Sequence, residues 1–275
     1  MVNNLYNMYE AYHDLLQSDR LDEDDRQECR FIRTSLLKGE NEMLGTAIQR
    51  LCRLVGKHYG VKPFILLDEY DTPLLEAYAD GYWEEMIGTC RQMFHCTFKE
   101  NPYYSRAIIT GVTRVTKNSL FSDLNNIEVD TVTCEAYNDC FGFTESEVMD
   151  ALKCQNIDTL NDVKKMYDGF IFGGQRDIYN PWSICNYMRT GQLQSYWTNT
   201  SSNKLIGEII RRHPVRSKNE IEELIAGNVV HKKINENVTF QYLDGDENSL
   251  WSLFLAVGYI KADHVVKYGE LTECD

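Results

Sequence analysis

Four large apolar residues in a row, Phe64-Ile65-Leu66-Leu67, run straight into Asp68-Glu69-Tyr70-Asp71. The run is too short for a helix and apolar on both faces of a strand, so it predicts a central parallel strand covered by helices on each side. A second short apolar run, Ala107-Ile108-Ile109, ends in Thr110-Gly111-Val112-Thr113-Arg114, and Ile127 to Thr133 reads as a third strand. Between the first two, Thr72-Pro73 opens a short helix with Pro at its first position, and Tyr82 to Phe98 repeats apolar residues at helical spacing. Strand, helix, strand, loop, strand is the rhythm of a doubly wound α/β sheet.

Helices are expected on either side of this core. Leu5 to Leu16 carries one apolar stripe, and Asp22-Glu23-Asp24-Asp25 reads as a solvated, dipole-favoured start of a helix to about Leu37. A core helix is predicted from Glu42 to Tyr59, stopped by Gly60. After Phe143 the pattern becomes helical. Thr144-Glu145-Ser146-Glu147 and Ser217-Lys218-Asn219-Glu220 are capping boxes, Thr159 to Tyr167 and Ser201 to Arg212 read as helices, and Asn180-Pro181 opens another with Asn as cap. From Val229 on, short strands at Val229 to Ile234 and Val238 to Tyr242 precede a helix from Glu247 to Val257, one more strand and the start of a hairpin at Tyr268-Gly269-Glu270. Three regions follow: 1–143 with the strands, 144–227 helical, and 228–275 small and mixed.

Composition narrows the function. The 42 acidic against 28 basic side chains give a formal charge of −14, which repels polyphosphate and opposes nucleic-acid binding by this chain alone. No run of 18 apolar residues or basic-apolar leader occurs, so a cytoplasmic chain without a membrane span is expected. The nine cysteines contain no Cys-x-x-Cys pair and read as small buried apolar residues in a reducing compartment.

In an open parallel sheet, ligands gather beyond the carboxyl ends of the strands, where Asp68 and Glu69 lie. Four apolar residues followed by Asp-Glu have the form of a Walker B element, in which the first acid holds Mg²⁺ and the second orients the water that attacks the γ-phosphate. Strand alternation would send Asp68 and Glu69 to opposite faces. The structural alternative is a strand meeting a polar loop with its acids exposed. Asp71 is expected to cap the Thr72-Pro73 helix. Polar residues after the second strand could contact the γ-phosphate, with Arg114 stabilising its charge, or could form a Thr-Gly turn with Arg114 bonded to nearby acids. A carboxylate-metal nuclease site at Asp68, Glu69 and Asp71 lacks the lysine such sites place after the acids. A phosphate-cradling Gly-x-x-x-x-Gly-Lys-[Ser/Thr] loop is absent; Gly56-Lys57-His58 lies on the core helix with no glycine upstream at the right spacing.

The strings Phe64 to Leu74, Ile109 to Arg114, Ser119 to Asn126, Phe141 to Thr144, Tyr167 to Phe170, Ile178 to Ser183 and Tyr196 to Ser202 resemble, in order from about residue 40 to 260, the AAA-ATPase-like family of anaerobic bacteria, whose members often carry a C-terminal PD-(D/E)XK nuclease-like domain. The resemblance implies an α/β fold: a partial P-loop NTPase-type parallel sheet with helices on both faces, then a helical lid (144–227) and a truncated winged-helix-like unit (228–275). It implies ATP and Mg²⁺ as ligands, with Asp68 on the metal and nucleotide, Glu69 on the water, Thr113 and Arg114 in the sensor position, and Asn180 in the lid over the nucleotide. Trp182 beside it is expected to be a buried core residue. Family members begin with a strand and a Gly-Lys-Thr loop that these residues lack. The chain therefore reads as an internal portion of such a protein or a degenerate member, with weak ATP binding and little or no turnover. The rival is a non-enzymatic protein-interaction module that uses the acidic helical surface and the aromatic-rich lid.

Overall fold

The computed structural model describes residues 1–40, 43–99, 101–112, 120, 124, 127–157, 159–197, 215–236, 247–268 and 271–275. The chain forms two units, Met1–Ile127 and Glu128–Asp275, and is mixed α/β in both. Among the described residues no helix is long and apolar enough to cross a membrane.

The first unit begins with three helices, α1 (Val2–Ala11), α2 (Glu23–Leu37) and α3 (Ala47–Tyr59), whose inward stripes meet in one core of Leu5, Tyr9, Leu15, Ile32, Leu36 and Leu54. The Tyr9 hydroxyl crosses this core to donate to the Ala47 carbonyl at 2.8 Å. Asp22 caps α2 in a reciprocal box with Asp25. The acids there are not all solvated as expected: Asp25 is buried, and its carboxylate receives Arg53 Nη1 at 2.6 Å and Lys57 Nζ at 2.6 and 2.9 Å. Burial alone would push that carboxyl up; the hydrogen bonds from Lys57 and Arg53 outweigh it and hold it below the ordinary Asp range. Lys57, the lysine of the sequence's Gly-Lys pair, is thus committed to α2. Helix α3 starts later than the spacing predicts, with Met43 to Thr46 in turns. Gly45 lies there under Gln92, where a Cβ would come within 2.9 Å of that side chain.

Strand β1 (Phe64–Leu67) leads through α4 (Thr72–Asp80), α5 (Trp83–Phe94) and a π-helical turn (His95–Lys99) to β2 (Arg106–Ile109). The two strands pair parallel, Phe64 with Arg106 through Leu67 with Ile109. The predicted cover on both sides is only half present. Ile65, Leu67, Ala107 and Ile109 are half-buried, whereas Phe64, Leu66 and Ile108 are 66%, 76% and 61% exposed. The third strand is not formed either: Glu128 and Asp130 alternate with an exposed Val129, and Thr131 accepts the Cys134 N–H (3.0 Å) in a turn.

In the second unit, β3 (Phe143–Thr144), α6 (Glu145–Cys154), α7 (Leu160–Tyr167), β4 (Asp168–Phe172), β5 (Gln175–Tyr179) and α8 (Pro181–Thr190) surround a core of Val148, Leu152, Val163, Tyr179, Ile184 and Tyr187. The Thr144–Glu147 capping box forms as expected. The segment is not helical throughout, because β4 and β5 make a hairpin and β3 joins it in the antiparallel order β3-β5-β4. The turn is Gly173-Gly174 with φ of 52° and 83°, the two-residue geometry that glycine adopts without strain. A Cβ on Gly173 would lie 2.0 Å from the Cys134 carbonyl oxygen.

Helix α9 (Val215–Ile225) includes Ser217, so the expected capping box there falls inside a helix rather than at its start. Strand β6 (Lys232–Ile234) and the hairpin β7 (Val265–Tyr268) and β8 (Leu271–Cys274) form a second antiparallel sheet in the order β6-β8-β7, with helix α10 (Glu247–Ala256) between β6 and β7 in the chain. Trp251 of α10 is fully buried, with Lys232 Nζ 4.9 Å from its ring centre. The predicted helix at Ser201 to Arg212 and strand at Val238 to Tyr242 lie outside the described residues. All nine cysteines are free thiols, but Cys140, Cys154 and Cys185 are exposed rather than buried.

Candidate functional site

The parallel register brings the carboxyl ends of β1 and β2 level, and the ladder continues past them. Thr110 N–H donates to the Leu67 carbonyl (2.8 Å) and Tyr70 N–H to the Thr110 carbonyl (3.0 Å). This places the Thr110 hydroxyl against Asp68, to whose Oδ1 it donates. The Glu69 N–H donates to the same oxygen at 3.1 Å. Asp68 Oδ2 has no hydrogen-bond partner among the described residues. The carboxylate is therefore exposed, oriented through one oxygen by a hydroxyl and an amide, and able to offer the other to a cation.

Glu69 is arranged differently from expectation. The strand ends at Leu67, and Glu69 has φ 52°, a left-handed backbone that a non-glycine residue adopts at a cost. Its position comes from this turn, not from strand alternation. Its side chain is exposed and accepts the Thr72 hydroxyl at 3.3 Å, and its carbonyl accepts the Thr72 N–H at 3.1 Å.

Asp71 does not make the expected side-chain cap. It occupies the position before α4, but its backbone is helical (φ −92°, ψ −11°) and its carboxylate makes no capping hydrogen bond. It is 1% exposed, and Oδ1 accepts the Val112 N–H at 3.3 Å. Gly111 makes this approach possible, since a Cβ there would lie 2.5 Å from the Tyr70 ring and 2.7 Å from Asp71 Oδ1.

Of the other sequence candidates, Thr113 and Arg114 lie outside the described residues. Asn180 belongs to the second unit, where its Oδ1 caps α8 by accepting the Ser183 N–H at 3.0 Å. Trp182 is 52% exposed, not buried. Thr110 belongs to the polar end of the second strand that the sequence marks, but its pairing with Asp68 is not visible in that segment alone. The signal for it is that both apolar runs end directly in a polar residue, Leu67 in Asp68 and Ile109 in Thr110, so a parallel pair brings those two residues together. Among the described residues no group of three or more His, Cys, Asp or Glu side chains could hold a metal ion. Mg²⁺ does not require such a cage, since it commonly takes one or two carboxylates and fills its octahedron with water and substrate phosphate.

Residues 3–121, which contain both strands and their acid-bearing ends, match the family described as Predicted AAA-ATPase. This segment is AAA-ATPase-like. The AAA-ATPase-like match begins ahead of β1 and ends at residue 121, so the strings from Phe141 onward that carry the resemblance fall beyond it. An uncharacterized protein in the vnfD 5′ region of Azotobacter chroococcum mcd 1 is 26% identical over 154 residues, 55% of this chain. The matched part spans 29% of that relative's length. No solved structure matches the chain.

Proposed function

We propose that the AAA-ATPase-like segment holds the metal of a Mg²⁺–ATP complex at the end of β1. Asp68 would hold Mg²⁺ through Oδ2, and the Thr110 hydroxyl and Glu69 amide keep the carboxylate oriented for it. Bound Mg²⁺ would neutralise charge on the β- and γ-phosphates. Glu69 would accept a hydrogen bond from the attacking water. Thr113 and Arg114, close after β2 in sequence, would contact the γ-phosphate, and Asn180 would lie in a lid segment, 144–227. A winged-helix-like reading of 228–275 is supported by its helix, hairpin and antiparallel order. The observation that carries the reading is Asp68, exposed and held by Thr110 across two parallel strand ends. Without a phosphate-cradling loop, most backbone contacts to the triphosphate are missing, so affinity is weak and turnover slow.

Water-proton relaxation with Mn²⁺·ATP tests this, because it reads weak binding directly. The expected result is a dissociation constant of about 1 mM, weakened at least tenfold in Asp68→Asn. Equal binding by the variant, or none by the parent chain, contradicts the assignment. Phosphate release near 1 s⁻¹ that is lost in Glu69→Gln would contradict the slow-turnover part.

The second reading is a non-enzymatic protein-interaction module, favoured by the exposed Phe64, Leu66 and Ile108 on one sheet face. Under that reading Leu66→Asp changes association with protein while Asp68→Asn changes nothing; the reverse pattern supports the nucleotide site.

A further inference from the structure

We infer that the open face of the β1–β2 sheet seats a second copy of this chain, with Arg106 of each copy against Asp68 of the other. Alternate residues of a strand share a face, so the parallel register sets Phe64, Leu66 and Asp68 beside Arg106, Ile108 and Thr110. Phe64, Leu66 and Ile108 are exposed there, whereas Ile65, Leu67, Ala107 and Ile109 on the opposite face are half-buried. Parallel strands occur almost only with both faces covered, so an open apolar face on such a pair calls for a cover.

Charge decides which cover fits. The face is apolar in the middle and oppositely charged at its two ends. Arg106, at the amino end, is exposed and makes no ion pair or side-chain hydrogen bond among the described residues. Asp68, at the carboxyl end, is exposed and keeps Oδ2 open, because Thr110 and the Glu69 amide take Oδ1. A two-fold axis between two such faces, running across the strands at the level of Leu66 and Ile108, stacks the copies antiparallel. Leu66 and Ile108 then meet their own counterparts. Each Arg106 stands over the other copy's Thr110, one strand spacing of about 5 Å from its Asp68, a gap that a guanidinium spans. Two equivalent ion pairs thus flank an apolar centre. An axis along the strands would instead bring Asp68 near Asp68, which like-charge repulsion opposes. Three apolar side chains cover less than the roughly 800 Å² per partner of a standard interface, so the association is weak. A metal and an arginine cannot share Oδ2, so the second copy and Mg²⁺·ATP exclude one another; this last step rests on the nucleotide reading above.

Sedimentation equilibrium of the full chain tests the inference at about 0.15 M salt, which screens the mutual repulsion of two copies of formal charge −14. A monomer–dimer equilibrium with a dissociation constant of about 100 µM is expected. Leu66→Asp, Asp68→Arg and Arg106→Asp each weaken it at least tenfold. An equal mixture of the Asp68→Arg and Arg106→Asp chains restores it to within about threefold, since both pairs across the interface are then Arg with Asp. A parent chain that stays monomeric to about 1 mM overturns the inference, whether or not the variants fold, and leaves the face to a partner of other chemistry. A dimer that Leu66→Asp leaves intact, or a mixture no tighter than its components, overturns it too. Mg²⁺·ATP at about 5 mM is expected to weaken the dimer at least tenfold. A dimer unmoved by nucleotide, when Asp68→Asn has lost nucleotide affinity, removes only the exclusion. If the parent chain binds no nucleotide, the nucleotide reading fails and the sedimentation results decide the interface by themselves.

Discussion

Replacing Asp25 by Asn removes the negative charge at the centre of the α2–α3 junction. Arg53 and Lys57 both point at this buried carboxylate, with side chains 22% and 41% exposed. Stripping one member from a fully buried ion pair costs about 3–5 kcal/mol. Here both cations can partly rehydrate and Arg53 keeps its pairing with Glu28, so the expected loss is about 2 kcal/mol. For a unit of this size that lowers the melting temperature by roughly 6 °C. The Asp25 carboxyl sits below its ordinary range in the fold, so its contribution is present above the unfolded value of about 4 and disappears as pH falls through the folded one. The difference between parent and variant melting curves should therefore be full at pH 7 and shrink as pH falls below about 4. Calorimetry of the full chain measures it, following the transition that assigns to the first unit. Asp24→Asn, one position away and exposed, is the control and should cost no more than about 0.5 kcal/mol of helix-dipole stabilisation. Equal effects of the two substitutions would refute the claim that burial and pairing distinguish them.

Tyr9→Phe leaves the Ala47 carbonyl without its buried donor and should cost about 1–2 kcal/mol in urea unfolding. Glu69→Gly relieves a left-handed backbone and should raise the melting temperature by about 2 °C while abolishing any phosphate release. In the second unit, burial, then the hydrogen bond and charge of Asp177, push the Asp168 carboxyl up. Its partner Asp177 is held down, first by the hydrogen bond from Lys164. The Asp168 share of stability is full below about pH 4 and is lost as pH rises through its folded value, so Asp168→Asn should match the parent at acid pH and melt higher at pH 7. A variant that melts lower than the parent at pH 7 would contradict a carboxyl at Asp168 that the fold pushes up.

Local signals proved easiest to read. The box at Thr144 and Glu147, the Asn180 cap and the Gly60 stop each depend on residues within four positions of one another, and all three form. The two apolar runs also announce their strands, because short apolar runs of three or four residues between polar breaks fit little else. Long-range matters were not legible. Nothing in the local spelling shows that Asp25 meets Lys57 or that Asp71 turns from its own helix to Val112, since those partners lie 32 and 41 residues away. The hairpin from Asp168 to Tyr179 was missed for a different reason. Its Gly173-Gly174 turn between alternating residues is a hairpin signature, but it sits between two helix patterns that dominate the neighbouring sequence. Apolar character likewise predicts cover for Phe64, Leu66 and Ile108 without revealing that this chain leaves that face open.

The most direct test of the Asp68 assignment is to map the metal itself. With Fe²⁺ in place of Mg²⁺, ATP present and ascorbate and peroxide added, hydroxyl radicals cut the backbone next to the bound ion. Cleavage is expected around residues 67–69 and near Thr110, dependent on ATP and absent in Asp68→Asn. Cuts confined to other segments, or the same cuts in that variant, would contradict a metal held at the end of β1.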